Sequence, residues 1–206
     1  MLEFCKVKDI FDRIKKLAFR PKETWLEIKK ENNVPQEILV NFVAPLALIP
    51  FVLSLFNLTI LGLPIAVGRI VRAPFIESLL ACIVSYFLNL SILIISAWWI
   101  SYLAQYFNSK TDMAASTKLI AYSMLWSVCF FLVFPGIGVF QLIGIYGFYG
   151  VYLIYLGLPI LLDTPPEKRM MFTILISLSY LFIALVLSVF GGGILYGPMF
   201  IRMMAS

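Results

Sequence analysis

The chain has 206 residues, of which 62% are hydrophobic and 13% charged, with a formal net charge of +5 and a mean hydropathy of +0.97. Soluble domains carry about 25% charged residues, so this composition excludes a water-exposed globule and points to a bilayer. Nine of the 16 basic residues precede Asn41, interleaved with seven acids, which suits an anionic membrane surface; no nucleic-acid partner is expected.

In chain order, Glu3, Lys6, Lys8 and Asp9 interrupt what would be the apolar core of a signal peptide, so targeting is expected to fall to the first span. Phe4, Val7, Ile10, Phe11, Ile14, Leu17 and Ala18 then recur at helical spacing with Lys8, Asp9, Asp12, Arg13, Lys15 and Lys16 between them. This amphipathic pattern predicts a helix lying in the membrane interface. Pro21 breaks it, and residues 22 to 31, with Trp25, Leu26 and Ile28, predict a second short helix ended by Asn32-Asn33-Val34-Pro35. Residues 1–35 are thus read as cytoplasmic amphipathic helices, either bracing the bundle or docking a partner.

Residues 36–206 are read as a five-span membrane domain. The first span, 38–61, is uncharged and holds Pro45 and Pro50, which predict kinks. A loop with Gly62, Pro64, Gly68, Arg69, Arg72 and Pro74 follows. The second span, 75–107, exceeds the bilayer requirement and ends in Trp98, Trp99, Tyr102 and Tyr106, an aromatic belt. No charge occurs between Lys118 and Asp163, room for two spans, 119–134 and 137–162, divided at Pro135-Gly136-Ile137-Gly138 by residues that break a helix and turn a chain. The fifth span, 170–190, meets Gly191-Gly192-Gly193, expected to be a flexible stop. The fold class is therefore an all-α integral membrane protein, a bundle of five transmembrane helices with N-terminal amphipathic interfacial helices. With the N-terminus cytoplasmic, the inside segments hold 13 basic residues and the outside segments Arg69, Arg72 and Arg202, so the C-terminus is expected outside.

In the fourth span Gly144, Gly147, Gly150 and Gly157 share one side, and Tyr146, Tyr149, Tyr152 and Tyr155 form an adjacent strip. Small residues let helices approach closely in lipid, so the strips are either packing surfaces, including those of a homo-oligomer, or the lining of a ligand groove. Thr164 and Glu167 have capping-box spacing with Pro165 between them, which marks the start of the last helix or a partner-binding loop.

Histidine is absent, which removes histidine bases, nucleophile pairs and metal ligands together. Cys5, Cys82 and Cys129 are too far apart for a metal site or a disulfide framework. No enzyme activity and no cofactor is expected. Glu77, three residues after Pro74, is either an acid favoured in a helix's first turn or a membrane-buried functional group paired with Arg69 and Arg72. Glu77, Asn89 and Gln141 together define the alternative reading, a small transporter or channel with a polar path.

The run from Tyr152 through Gly157, Pro159, Asp163, Thr164, Pro165, Glu167 and Lys168 to Arg169 resembles the signature of the Yip family of membrane proteins. Pro21-Lys22-Glu23-Thr24-Trp25 is similar to its prokaryotic branch. The resemblance implies a cytoplasmic N-terminus, five spans and a scaffold or interaction role in membrane organisation or trafficking, through membrane lipids or a cytoplasmic protein. It implies a small GTPase as partner only for a eukaryotic chain. The Asp-Leu-Tyr-Gly-Pro element of eukaryotic relatives is missing here, where Val34-Pro35-Gln36-Glu37 stands instead. A prokaryotic plasma membrane is accordingly favoured over an early secretory membrane.

Overall fold

The uncharged run after Val34 forms one helix in spite of its internal prolines. In the computed structural model, which describes residues 7–66, 69–133 and 140–205, this helix spans Pro35–Leu61. It is labelled α3, after α1 (Val7–Phe19) and α2 (Pro21–Lys30). Pro45 and Pro50 lack the N–H that would continue the ladder. The helix widens to π turns at Leu39–Val43 and Asn57–Leu61, where the Ala44 N–H reaches back to the Leu39 carbonyl and Gly62 N–H to that of Asn57.

Gly62 takes a positive φ of 82°, which glycine adopts without steric cost. The loop expected after it is a small antiparallel hairpin, β1 (Leu63–Ala66) and β2 (Arg69–Val71), with Leu63 opposite Val71. The helix α4 then runs from Phe75 to Phe107, matching the expected second span. It ends in a Schellman turn: Asn108 is left-handed, and the Ser109 N–H returns to the Ala104 carbonyl at 3.0 Å.

Asp112 starts α5 (Met113–Val133), its Oδ1 accepting from the Ala114 and Ala115 amides at 2.9 and 3.2 Å. This helix begins six residues before the expected span and takes Lys118 into its second turn. The turn expected at 135–138 lies outside the described residues. Beyond it α6 covers Phe140–Leu161, and α7 covers Pro166–Ala205. The last helix continues through Gly191-Gly192-Gly193, so the flexible stop expected there is absent; its hydrogen-bond ladder carries the glycines without a break.

Helix α4 is the hub, packing against α3, α5 and α7, while α6 packs against α5, α7 and α2. One core cluster joins Leu17 and Trp25 of the N-terminal helices to Phe42, Ile100, Leu119, Tyr122, Leu153 and Phe172 of the others. Outward, Leu48, Val52, Phe87, Leu181 and Leu185 are exposed, as expected of lipid-facing surface.

Candidate functional site

The chemistry-bearing residues gather at one end of the bundle, and the local sequence of α2 explains why. Around this helix Trp25, Ile28 and Thr24 make one buried strip. Glu23, Glu27 and Glu31, spaced by four, make a second, and Lys22, Leu26, Lys29 and Lys30 a third. The first strip enters the core, Glu27 and Glu31 of the second meet α1, and the third is exposed. Trp25 is 0% exposed; its ring meets Tyr122 edge-on at 6.2 Å, and its indole N–H is buried with no hydrogen-bond partner among the described residues.

Two acids of the second strip, Glu31 and Glu27, are answered by bases of α1, and Glu23 by Arg20 at the head of α2 itself. The Arg13 guanidinium grips both carboxylate oxygens of Glu31 at 2.6 and 3.0 Å and donates to the Tyr122 hydroxyl at 2.6 Å. Lys16 pairs with Glu27 at 3.0 Å and Arg20 with Glu23 at 3.7 Å. Burial works against the Arg13 charge, but Glu31 and Tyr122 outweigh it and hold the guanidinium above its usual range. Between the two helices a groove of about 540 Å³ is lined by Asp12, Lys15, Lys16, Phe19, Arg20, Glu23, Thr24 and Glu27.

Both hairpin helices are also closed off by residues of the bundle. A helix leaves its last carbonyls without intrahelical partners. Tyr149 of α6 donates to the α1 carbonyls of Leu17 and Ala18 at 3.0 and 3.1 Å. Lys118 of α5, 5% exposed, donates to the Ile28 carbonyl at 3.1 Å and to that of Glu31, bringing a cation to the negative end of the α2 dipole. Lys118 is therefore a structural tether between α5 and α2 and no part of a free loop.

The charged turns join the same end. The Lys110 N–H donates to the Leu162 carbonyl at 2.8 Å, the Ser109 hydroxyl to that of Thr164 at 2.9 Å, and Lys29 pairs with Asp163 at 2.8 Å. Thr164, read as half of a capping box, turns its hydroxyl back to the Leu158 carbonyl at 3.3 Å and closes α6 instead of opening α7. The left-handed Asp163, at φ 49°, directs it there. Glu167 is exposed beside it, Pro165 is half-buried, and Lys168 reaches the Tyr106 carbonyl at 3.4 Å. Pro159 lies within the last turn of α6. Arg169 stacks its guanidinium 4.9 Å above the Tyr155 ring.

Of the two glycines of the strip whose surroundings are described, Gly157 is the site of closer approach: a Cβ there would meet Leu119 Cδ1 at 2.5 Å and the Trp25 ring at 3.1 and 3.2 Å. Gly150 has ordinary room, its nearest neighbour being the Ser123 carbonyl at 3.5 Å. Tyr152 and Tyr155 are exposed, and Tyr149 turns to α1 instead. The side chains of Gly144, Gly147, Tyr146 and Gln141 lie outside those described.

Glu77, in the first turn of α4, is at the opposite end of that helix from the assembled loops. It is about 18 Å along the axis from Asn89. Asn89 lines a small cleft with Pro50, Cys82, Ser85 and Tyr86, but its amide donates to the Ser85 carbonyl at 2.7 Å. Glu77 and Asn89 thus stand about three helical turns apart on α4. No group of three or more His, Cys, Asp or Glu among those residues has the geometry to hold a metal ion.

Sequence reasoning missed Arg13, Glu31, Lys118, Tyr122 and Tyr149 as a set. Glu27 and Glu31, spaced by four, set against Lys16 and Arg13, spaced by three, were the available signal, since one charged face on each segment predicts two helices facing each other rather than one lying flat.

Among the described residues three helices, Pro35–Leu61, Phe75–Phe107 and the Pro166–Leu187 part of α7, are long and apolar enough to cross a bilayer. With lipid-compatible outer faces and a polar cap of short helices at one end, the molecule is a multi-pass helical membrane protein. A family model described as the Yip1 domain matches residues 15–189, and the chain belongs to that family. Comparison with the curated proteins and with the solved structures returns no match.

Proposed function

We propose that the protein is a non-enzymatic membrane scaffold that presents the α1–α2 hairpin and the joined turns 108–112 and 162–169 as one cytoplasmic face for a protein or lipid partner. The observation that carries this reading is the convergence of those segments through Lys29–Asp163, Ser109–Thr164 and Lys110–Leu162, which makes a single charged surface from distant parts of the chain. In the same reading α3 to α7 supply five spans, with the N-terminus cytoplasmic and the C-terminus outside. The 13-to-3 excess of basic residues supports that orientation. The Pro21–Trp25 segment supports a prokaryotic relative in a plasma membrane, and a small GTPase partner would follow only from a eukaryotic source.

The test places a photo-crosslinking residue at exposed Leu26 and Glu167 in native membranes, with exposed Leu181 as the lipid-facing reference. A discrete adduct at the first two positions, absent at the third, is expected. Bulk lipid alone at all three would sink the scaffold reading. A transporter is separated from it by reconstitution: solute or ion flux that Asn89→Ala abolishes would favour transport.

A further inference from the structure

The hairpin's direction is fixed by contacts along α6. Lys29 meets Asp163 just past the end of that helix, Trp25 packs at Gly157, and the Leu17 and Ala18 carbonyls meet Tyr149. From Asp163 to Tyr149 is about 20 Å of helix. Helix α5 gives the same order, with Lys118 at the C-terminal end of α2 and Tyr122, one turn further along, against Trp25. The turn between α1 and α2 is thus the part of the hairpin furthest from the charged loops and nearest the apolar halves of α5 and α6.

That turn carries Phe19, 79% exposed, the most exposed large apolar side chain among the described residues. Arg20 and Lys22 follow it and Lys15 and Lys16 precede it by one turn, all exposed. The nearby acids are Asp12, Glu23 and Glu27, the last two already engaged by Arg20 and Lys16.

We propose that this turn is a membrane anchor, in which Phe19 inserts at the headgroup level of the protein's own bilayer while Lys15, Arg20 and Lys22 contact the phosphates of anionic phospholipid. An aromatic ring ringed by bases matches the chemistry of that interface. Because the hairpin is tied to membrane helices, the lipid surface is always within reach, so attachment costs no translational freedom. The inference rests on the scaffold reading only in placing the hairpin at a membrane face.

The test uses the full chain with Cys5, Cys82 and Cys129 replaced by alanine and a fluorophore on Phe19→Cys or, as the reference, on Lys30→Cys at the other end of α2. Vesicles contain phosphatidylcholine and phosphatidylglycerol with brominated acyl chains as quenchers. Quenching at position 19 should exceed that at position 30 several-fold and fall in phosphatidylcholine alone. Arg20→Gln and Lys22→Gln should each weaken attachment about fivefold, in line with the worth of one basic residue at an anionic surface. Equal quenching at the two positions overturns the anchor. Quenching at 19 that ignores both phosphatidylglycerol and the glutamine variants overturns the anionic specificity. Shielding of position 19 by added soluble protein and not by lipid overturns it as well. The exposed side chains at 19, 20 and 22 leave the packed face of α2 untouched, and failure here leaves the crosslinks at Leu26 and Glu167 to stand or fall separately.

Discussion

Gly157 and Gly150 occupy equivalent positions two turns apart on α6, yet they differ in what surrounds them. A methyl group at 157 must displace Leu119 and press on Trp25, whereas at 150 it meets ordinary contact distance. Overpacking costs about 1–3 kcal/mol, so Gly157→Ala should lower the unfolding temperature in detergent. Gly150→Ala should leave it equal or higher, because alanine is about 1 kcal/mol better than glycine within a helix. Equal losses at the two positions would contradict the packing described. Trp25 offers a second comparison. Trp25→Ala should cost about 3–5 kcal/mol through the cavity it leaves. Trp25→Phe should cost markedly less, since it removes a buried N–H that has no partner among the described residues along with the lost ring volume. Lys118→Met strips donors from the Ile28 and Glu31 carbonyls and should cost about 1–3 kcal/mol.

At the scale of elements, the hairpin is the unit whose behaviour the sequence only half disclosed. The apolar periodicity of Leu17, Trp25 and Ile28 announces two helices and a buried face, but periodicity is the same whether that face meets lipid or protein. What decides it is Tyr149 and Lys118, over 85 residues away, which supply the missing partners of the helix ends. Asn108 and Asp163 were equally hard to read, because left-handed turns by non-glycine residues depend on the tertiary bonds that close them. By contrast the bounds of α4 were legible, since an apolar run between Pro74 and the Asn108 turn, whose one charge is Glu77 in its first turn, leaves little choice. The hairpin's attachment can be measured through Arg13, whose guanidinium joins α1, α2 and α5. Arg13→Met and Glu31→Gln should couple by about 0.5–3 kcal/mol in a double-mutant cycle. Additive losses would mean that the pair does not hold the hairpin in place.

For the whole molecule, the apolar outer faces of α3, α4 and α7 and the polar cap at one end define an object with two unlike ends. The hairpin β1–β2 and Glu77 mark one, and the turns at Asn108 and Asp163 mark the other. Single cysteines introduced at Lys110 and Lys168 should therefore react with an impermeant reagent from the same side of the membrane, and one at Arg72 from the opposite side. Reaction of Lys110→Cys and Lys168→Cys from different sides would break the proposed arrangement and the function built on it.

The tethering of the hairpin by Tyr149 has a consequence for biogenesis. Leu17 and its acceptor carbonyl leave the ribosome 132 residues before the tyrosine that caps them. At 5–20 residues per second, the hairpin waits on the order of ten seconds before the tyrosine that holds it is made. During that interval Trp25 and Leu17 have no core to enter, so the nascent chain needs either the lipid surface or a chaperone to shelter them.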